Sequence, residues 1–125
     1  MKYLLLLNNA AEEWDAWRDL SPEEAQRFRE EEMPRWNALF GWIAEQGIEA
    51  NGLELDDPRK ARVVRVRDGE TLVTDGPFAE TKEAIGGYLI FEVDDLDAAI
   101  ELARRIPSAR SGGSVEIRPI MEARR

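Results

Sequence analysis

The stretch Tyr88-Leu89-Ile90-Phe91-Glu92-Val93-Asp94-Asp95-Leu96-Asp97-Ala98-Ala99-Ile100-Glu101-Leu102-Ala103 places a strand directly before a helix. Tyr88 to Val93 is apolar at nearly every position, the pattern of a strand covered on both faces. Asp94 can cap the next helix, in which Leu96, Ala99, Ile100 and Ala103 recur at helical spacing to form a buried stripe. Glu101 and Arg105 stand four apart on the outer face, where opposite charges support a helix. Pro107 stops it. Ser111-Gly112-Gly113 makes a flexible link, and Ser114 to Pro119 reads as a strand. This half of the chain is a β-α-β unit.

The N-terminal half has the same order. Lys2 to Asn8 is an apolar strand, and Glu12 to Asp19, with Trp14 and Trp17 three apart, reads as a short helical turn. Ser21-Pro22-Glu23-Glu24 is a helix start: Ser21 caps, Pro22 suits the first helical position, and Glu24 completes a capping box. Phe28, Trp36, Leu39, Phe40 and Ile43 then share one stripe. Pro34 predicts a kink or break near Met33, because it lacks an amide donor and crowds the turn before it. The helix is expected to end before Gly47, with a short strand within Ile48 to Leu55. Asp56-Asp57-Pro58 is a turn signal. Arg62 to Arg67 and Glu70 to Thr74 flank Asp68-Gly69, a hairpin signal.

Two β-α-β halves framing a central hairpin predict an α+β domain spanning residues 1–125: a ferredoxin-like sheet with two helices on one face. Such helices cover one face only. Tyr3, Leu5 and Leu7 point opposite to Leu4 and Leu6, and Leu89 and Phe91 opposite to Tyr88 and Ile90. The second face needs a cover, and the simplest is a second copy, sheet against sheet about a two-fold axis. A homodimer is therefore expected.

Composition removes several kinds of chemistry. The 125 residues contain no cysteine and no histidine. Disulfides, thiolate nucleophiles, Ser-His-Asp and Cys-His relays and His- or Cys-built zinc sites are excluded. No cofactor or metal is expected, although a carboxylate-only cation site stays open in principle. Acid–base groups would have to come from Asp, Glu, Lys or Tyr. The net charge of −9 argues against nucleic acid. The apolar run Tyr3 to Leu7 is too short to span a membrane, and no cleavage site comes after it, so a cytoplasmic protein is expected.

The polar run Asp75-Gly76-Pro77-Phe78-Ala79-Glu80-Thr81-Lys82-Glu83 carries the candidate site, read as a loop closed by Gly86-Gly87. Asp75-Gly76-Pro77 forms a rigid turn that would also orient a carboxylate, making Asp75 the candidate base or cation ligand. Lys82 is one of three lysines against fourteen arginines. Flanked by Glu80 and Glu83 it stays protonated, which favours anion binding over Schiff-base chemistry. Arg118 and Glu116 share one face of the last strand, opposite Val115 and Ile117. They serve either as an interface ion pair or, for Arg118, as a ligand contact. Arg65 decorates a hairpin face within reach of the same cleft. Tyr88 is an aromatic candidate for the cleft wall, Phe78 for a plug into the core, and Trp42 for interface or pocket wall.

The Asp75 to Glu83 run, with Val73-Thr74 before it and Gly86-Gly87-Tyr88 after it, closely resembles the signature of the DGPF proteins of the YCII-related group. The Val64-Arg65-Val66-Arg67-Asp68-Gly69 hairpin, the Asp94-Asp95-Leu96-Asp97-Ala98-Ala99 helix start and the ending Gly113-Ser114-Val115-Glu116-Ile117-Arg118-Pro119 are similar to that family too. The resemblance spans nearly the whole chain, apart from Glu12 to Leu20 and the last residues, and implies a dimeric α-β barrel. A His-Asp pair proposed for some relatives has no counterpart, since this chain lacks histidine. The family's association with extracytoplasmic-function sigma factors implies a regulatory setting.

Two functions are expected from these features. One is a homodimer that binds a small polar molecule near the Asp75–Glu83 loop, with acid–base turnover as its extension. Asp75 and Lys82 would then be catalytic, and Glu80, Glu83, Tyr88, Arg118 and Arg65 would hold the ligand. The other is a non-catalytic interaction module whose acidic stretches, Glu30-Glu31-Glu32 or Asp94 to Asp97, meet a regulatory protein partner.

Overall fold

A computed structural model describes residues 1–76, 83–110 and 112–122, Glu83 by its backbone alone. The order is β1 (Lys2–Ala10), α1 (Ala11–Arg18), α2 (Pro22–Glu45), β2 (Ala50–Glu54), a 3₁₀ turn (Pro58–Lys60), β3 (Arg62–Arg67), β4 (Glu70–Asp75), β5 (Glu83–Glu92), α3 (Leu96–Ala103), α4 (Pro107–Arg110) and β6 (Ser114–Pro119). Among the described residues the protein is thus mixed α+β, with four helices rather than two. Its four-stranded sheet, ordered β2-β5-β1-β6, is antiparallel throughout and is open rather than closed into a barrel.

The register decides which side chains form the core. Tyr3 pairs with Phe91 and Leu5 with Leu89. All four are buried, with Leu39 and Ile43 of α2 and Ala99, Leu102 and Ala103 of α3 against them, and Ile106 and Val93 completing the core. Tyr3 stacks on Phe91 with ring centroids 6.0 Å apart. Phe28 and Phe40, assigned to the α2 stripe, are instead largely exposed. Phe28 packs edge-on against Trp17 of α1, and Phe40 lies against Trp36.

α2 starts as its sequence predicts. The Glu24 N–H donates to Ser21 Oγ at 3.1 Å and the Ser21 N–H donates to Glu24 Oε1 at 3.2 Å. Of the kink or break expected near Met33, the break does not occur, and the helix runs on to Glu45. Pro34 and Glu30 are both exposed, so the carbonyl that loses its Pro34 partner can turn to water, and packing of Leu39 and Ile43 holds the second half in place. The end is a Schellman turn: Ile48 N–H bonds Ile43 O, Gly47 N–H bonds Ala44 O, and Gly47 has φ +67°.

Three other boundaries shift from expectation. Asp95, not Asp94, caps α3, accepting from the Ala98 N–H at 2.9 Å. Pro107 does not simply stop α3 but opens α4. β5 begins at Glu83 and passes through Gly86-Gly87, which therefore do not close a loop. Both glycines are buried. A Cβ on Gly86 would meet Asn9 and Trp14, so the missing side chain is what lets α1 lie against the strand.

The β3–β4 hairpin forms as predicted, with Asp68 at φ 51° and Gly69 at φ 78°, the pair of left-handed residues that a tight primed turn needs. It makes a two-stranded sheet of its own and is not part of the main sheet. The readings of Phe78 as a core plug and of Arg124-Arg125 as a frayed end lie outside the described residues, as does Ser111.

Candidate functional site

The open face of the main sheet is set by the same register that builds the core. Leu4 pairs with Ile90 and Leu6 with Tyr88. On one side of them, Arg118 stands opposite Leu4 and Glu116 opposite Leu6. On the other, Asn51 stands opposite Ile90 and Leu53 opposite Tyr88. Two rows therefore cross the four strands, Leu53-Tyr88-Leu6-Glu116 and Asn51-Ile90-Leu4-Arg118. With strands about 4.8 Å apart, each row spans about 14 Å. Leu4, Leu6, Tyr88 and Ile90 are half-buried by their neighbours alone, and Leu53 is 67% exposed. The result is an apolar floor with a carboxylate and a guanidinium along its β6 edge.

Of the residues singled out from sequence, Tyr88 and Arg118 share this floor. Neither Glu116 nor Arg118 forms an ion pair among the described residues, so the interface pair read from their spacing is not made within one chain. Asp75 lies elsewhere, as the last residue of β4, with its side chain 90% exposed. Its cross-strand partner Arg62 brings Nε to 3.5 Å from Oδ1. The base of the hairpin is pinned just beyond it, where the Gly76 N–H bonds Ala61 O at 2.9 Å. Arg65 pairs with Leu72, so it points to the side of the hairpin away from Asp75. Glu80 and Lys82 lie outside the described residues, and of Glu83 only the backbone, paired with Ala10, is described.

Around the β2 end, charge ties three elements together. Arg29 of α2 lies over the Trp17 ring at 5.1 Å and pairs with Glu54 at 3.3 Å. Glu32, close to the carboxylates of Glu13 and Glu54, has its own carboxyl pushed up, first by burial. No group of three or more acidic side chains among the described residues is arranged to hold a metal ion. A shallow groove along Pro22, Glu23, Gln26, Arg27 and Glu30 runs along the first turns of α2 and is lined by none of the candidates. Trp42, read as interface or pocket wall, packs on the core and is capped by the Arg105 guanidinium at 4.2 Å. Arg105 is in turn held by Glu101 at 2.8 Å.

Sequence reasoning missed Asn51 and Leu53 on the floor. Their signal was the alternation Asn51-Gly52-Leu53-Glu54, which assigns faces only once the strand's partner is known. No described helix is long and apolar enough to cross a membrane.

Residues 1–124 match the model of the YCII-related domain family. An uncharacterised protein of Rhizobium meliloti (strain 1021) is 36% identical over 121 residues, covering 96% of this chain and 92% of that one.

Proposed function

The chain belongs to the YCII-related domain family, and on that premise we propose that it is a cytoplasmic homodimer that binds a small polar molecule. In this reading its protomers are ferredoxin-like, pack through their open sheet faces as a dimeric α-β barrel, and are of the DGPF kind. The observation that carries it is the floor of Leu4, Leu6, Tyr88 and Ile90, apolar at its centre and bordered by Glu116 and Arg118. Two such floors turned onto each other bury the leucines and leave a polar rim, the anatomy of a stable interface.

The ligand site lies at that rim. Arg118 holds an anionic group, Tyr88 lines the cleft, and Glu80, Lys82 and Glu83 supply further polar contacts. Asp75 is then the base, with Lys82 steadying negative charge, if the bound molecule is turned over.

Sedimentation velocity and a thermal-shift screen against small anionic metabolites test this together. The expected result is a dimer whose melting temperature rises with a ligand class, the rise being lost in both Asp75→Ala and Arg118→Ala. A monomer overturns the assembly. A dimer without any ligand response overturns the binding site and favours a non-catalytic regulatory module, one that accompanies an extracytoplasmic-function sigma factor.

A further inference from the structure

Glu116 and Arg118 end the two floor rows on β6, the last strand of the main sheet, and both are exposed. They stand about 7 Å apart along one strand. Their cross-strand neighbours are Leu6 and Leu4, and neither forms an ion pair among the described residues. Lys2 and Glu92, further along the same face, are by contrast already opposite charges facing each other across β1 and β5. The floor thus carries one carboxylate and one guanidinium whose counter-charges the protomer does not supply.

Such a floor can be buried against a second copy only if both charges are met there. The orientation of that copy decides the matter. With the two-fold axis along the strands, β6 lies over β2 of the second copy. Glu116 is then pressed onto Leu53 and Arg118 onto Asn51, which leaves a carboxylate in an apolar contact. With the axis across the strands, midway between the two rows, β6 lies over its own counterpart and each row lies over the other. Arg118 then stands over Glu116 of the second copy, and by symmetry the same contact forms twice. Leu4 meets Leu6 and Ile90 meets Tyr88, so the centre of the interface stays apolar. An orthogonal packing crosses the two β6 strands and parts these charges.

We propose that a second copy docks with its two-fold axis across the strands, and that Arg118 of each copy pairs with Glu116 of the other. This rests on the floor dimer proposed above and fixes its orientation. It also makes the ligand site a shared one. A guanidinium has five N–H donors, so Arg118 can give one edge to the carboxylate of the second copy and turn the rest to an anionic group. The site is incomplete in a single copy.

Charge reversal tests the pair. Glu116→Arg sets arginine against arginine at two places in the dimer, and Arg118→Glu sets carboxylate against carboxylate. Each is expected to raise the dimer dissociation constant roughly a hundredfold. Both changes in one chain should restore it. Equimolar mixing of the two single variants should yield the mixed dimer, resolved by native mass spectrometry, because both contacts again join unlike charges. Both positions are exposed and outside the core, so folding is not at stake. The chain has no cysteine, so introduced thiols report without background. Glu116→Cys and Arg118→Cys copies, mixed, are expected to be joined by a short bis-maleimide.

A wild-type dimer that ignores both reversals overturns the pair and leaves the floor dimer standing. So does weakening by each reversal without recovery in the double variant. A cross-link from Glu116→Cys to Leu53→Cys copies instead would set the axis along the strands and overturn the pair too. A wild-type monomer overturns both the pair and the dimer.

Discussion

The Arg18 guanidinium grips both oxygens of the Asp57 carboxylate, Nε at 2.8 Å from Oδ2 and Nη2 at 2.7 Å from Oδ1. Both side chains are largely shielded, at 18% and 16% exposure, and Asp57 also accepts from the Arg59 N–H at 2.9 Å. This fork ties α1 to the 3₁₀ turn that launches the β3–β4 hairpin. Asp57→Asn is therefore expected to lower the melting temperature by a few degrees and to loosen residues 58–62 in hydrogen exchange. Arg18→Lys should not substitute for arginine, because a point charge cannot span both oxygens. Equal protection in wild type and Asp57→Asn would show that the turn holds without the fork.

Acid is expected to weaken the fold in a defined window. Hydrogen bonds from Arg18 hold the Asp57 carboxyl well below its ordinary value of 3.8. Those from Arg104 and then Arg105 lower Glu101 from 4.5 to about 2. A depressed carboxylate stabilises the fold fully above its unfolded pKa, and that stability is lost as pH falls through the folded value. Urea midpoints should thus be flat above pH 4.5 with respect to these two groups and fall between about pH 4.5 and 2. Asp57→Asn with Glu101→Gln should flatten that fall; a slope unchanged in the double variant would assign it to other carboxylates.

Pro34 sits in an exposed stretch of a continuous helix. Pro34→Ala restores an N–H hydrogen bond to the Glu30 carbonyl and is expected to raise stability by about 1–3 kcal/mol. Chemical denaturation measures this directly, and a destabilised variant would mean that the proline's ring makes a contact worth more than the bond it forfeits.

Two glycines of the sheet should respond differently to alanine. A Cβ on Gly52 would run into the backbone carbonyl of Tyr88, with Leu89 Cα at 3.0 Å, and the β2 edge would have to move. The expected cost is about 1–3 kcal/mol. A Cβ on Gly86 meets the amide end of Asn9 and Trp14 Cζ2 at 3.3 Å. The Asn9 amide can swing away, so the cost is smaller. The reverse order in denaturation midpoints would show β2 to be the more yielding element.

Charge placed on the two faces of β1 should separate folding from assembly. Leu5 is fully buried under the helices, and Leu5→Asp is expected to abolish folding. Leu6 faces the open floor, and Leu6→Asp should keep the native circular dichroism while abolishing the dimer in sedimentation. A folded Leu6→Asp dimer would place the interface elsewhere.

Much of this architecture is written locally. The strands at Lys2, Tyr88 and Ser114, the Ser21 capping box, the Gly47 turn and the Asp68-Gly69 hairpin all depend on neighbours a few residues away. Run length, capping chemistry and left-handed dihedrals announce them in the chain. Only the tertiary structure decided how those pieces meet. Pro34 predicts a kink or a break by its local chemistry, yet packing of Leu39 and Ile43 carries the helix past it. Gly86-Gly87 resembles the end of a loop until Trp14 is seen beside it. Tyr88 and Arg118 share a floor, while Asp75 stands on a separate hairpin, because strand register is a pairing between distant segments. Arg18 and Asp57 are 39 residues apart, and no pattern in either neighbourhood encodes that meeting. Short-range propensities belong to the sequence itself, whereas register and docking appear only when the chain closes on its core.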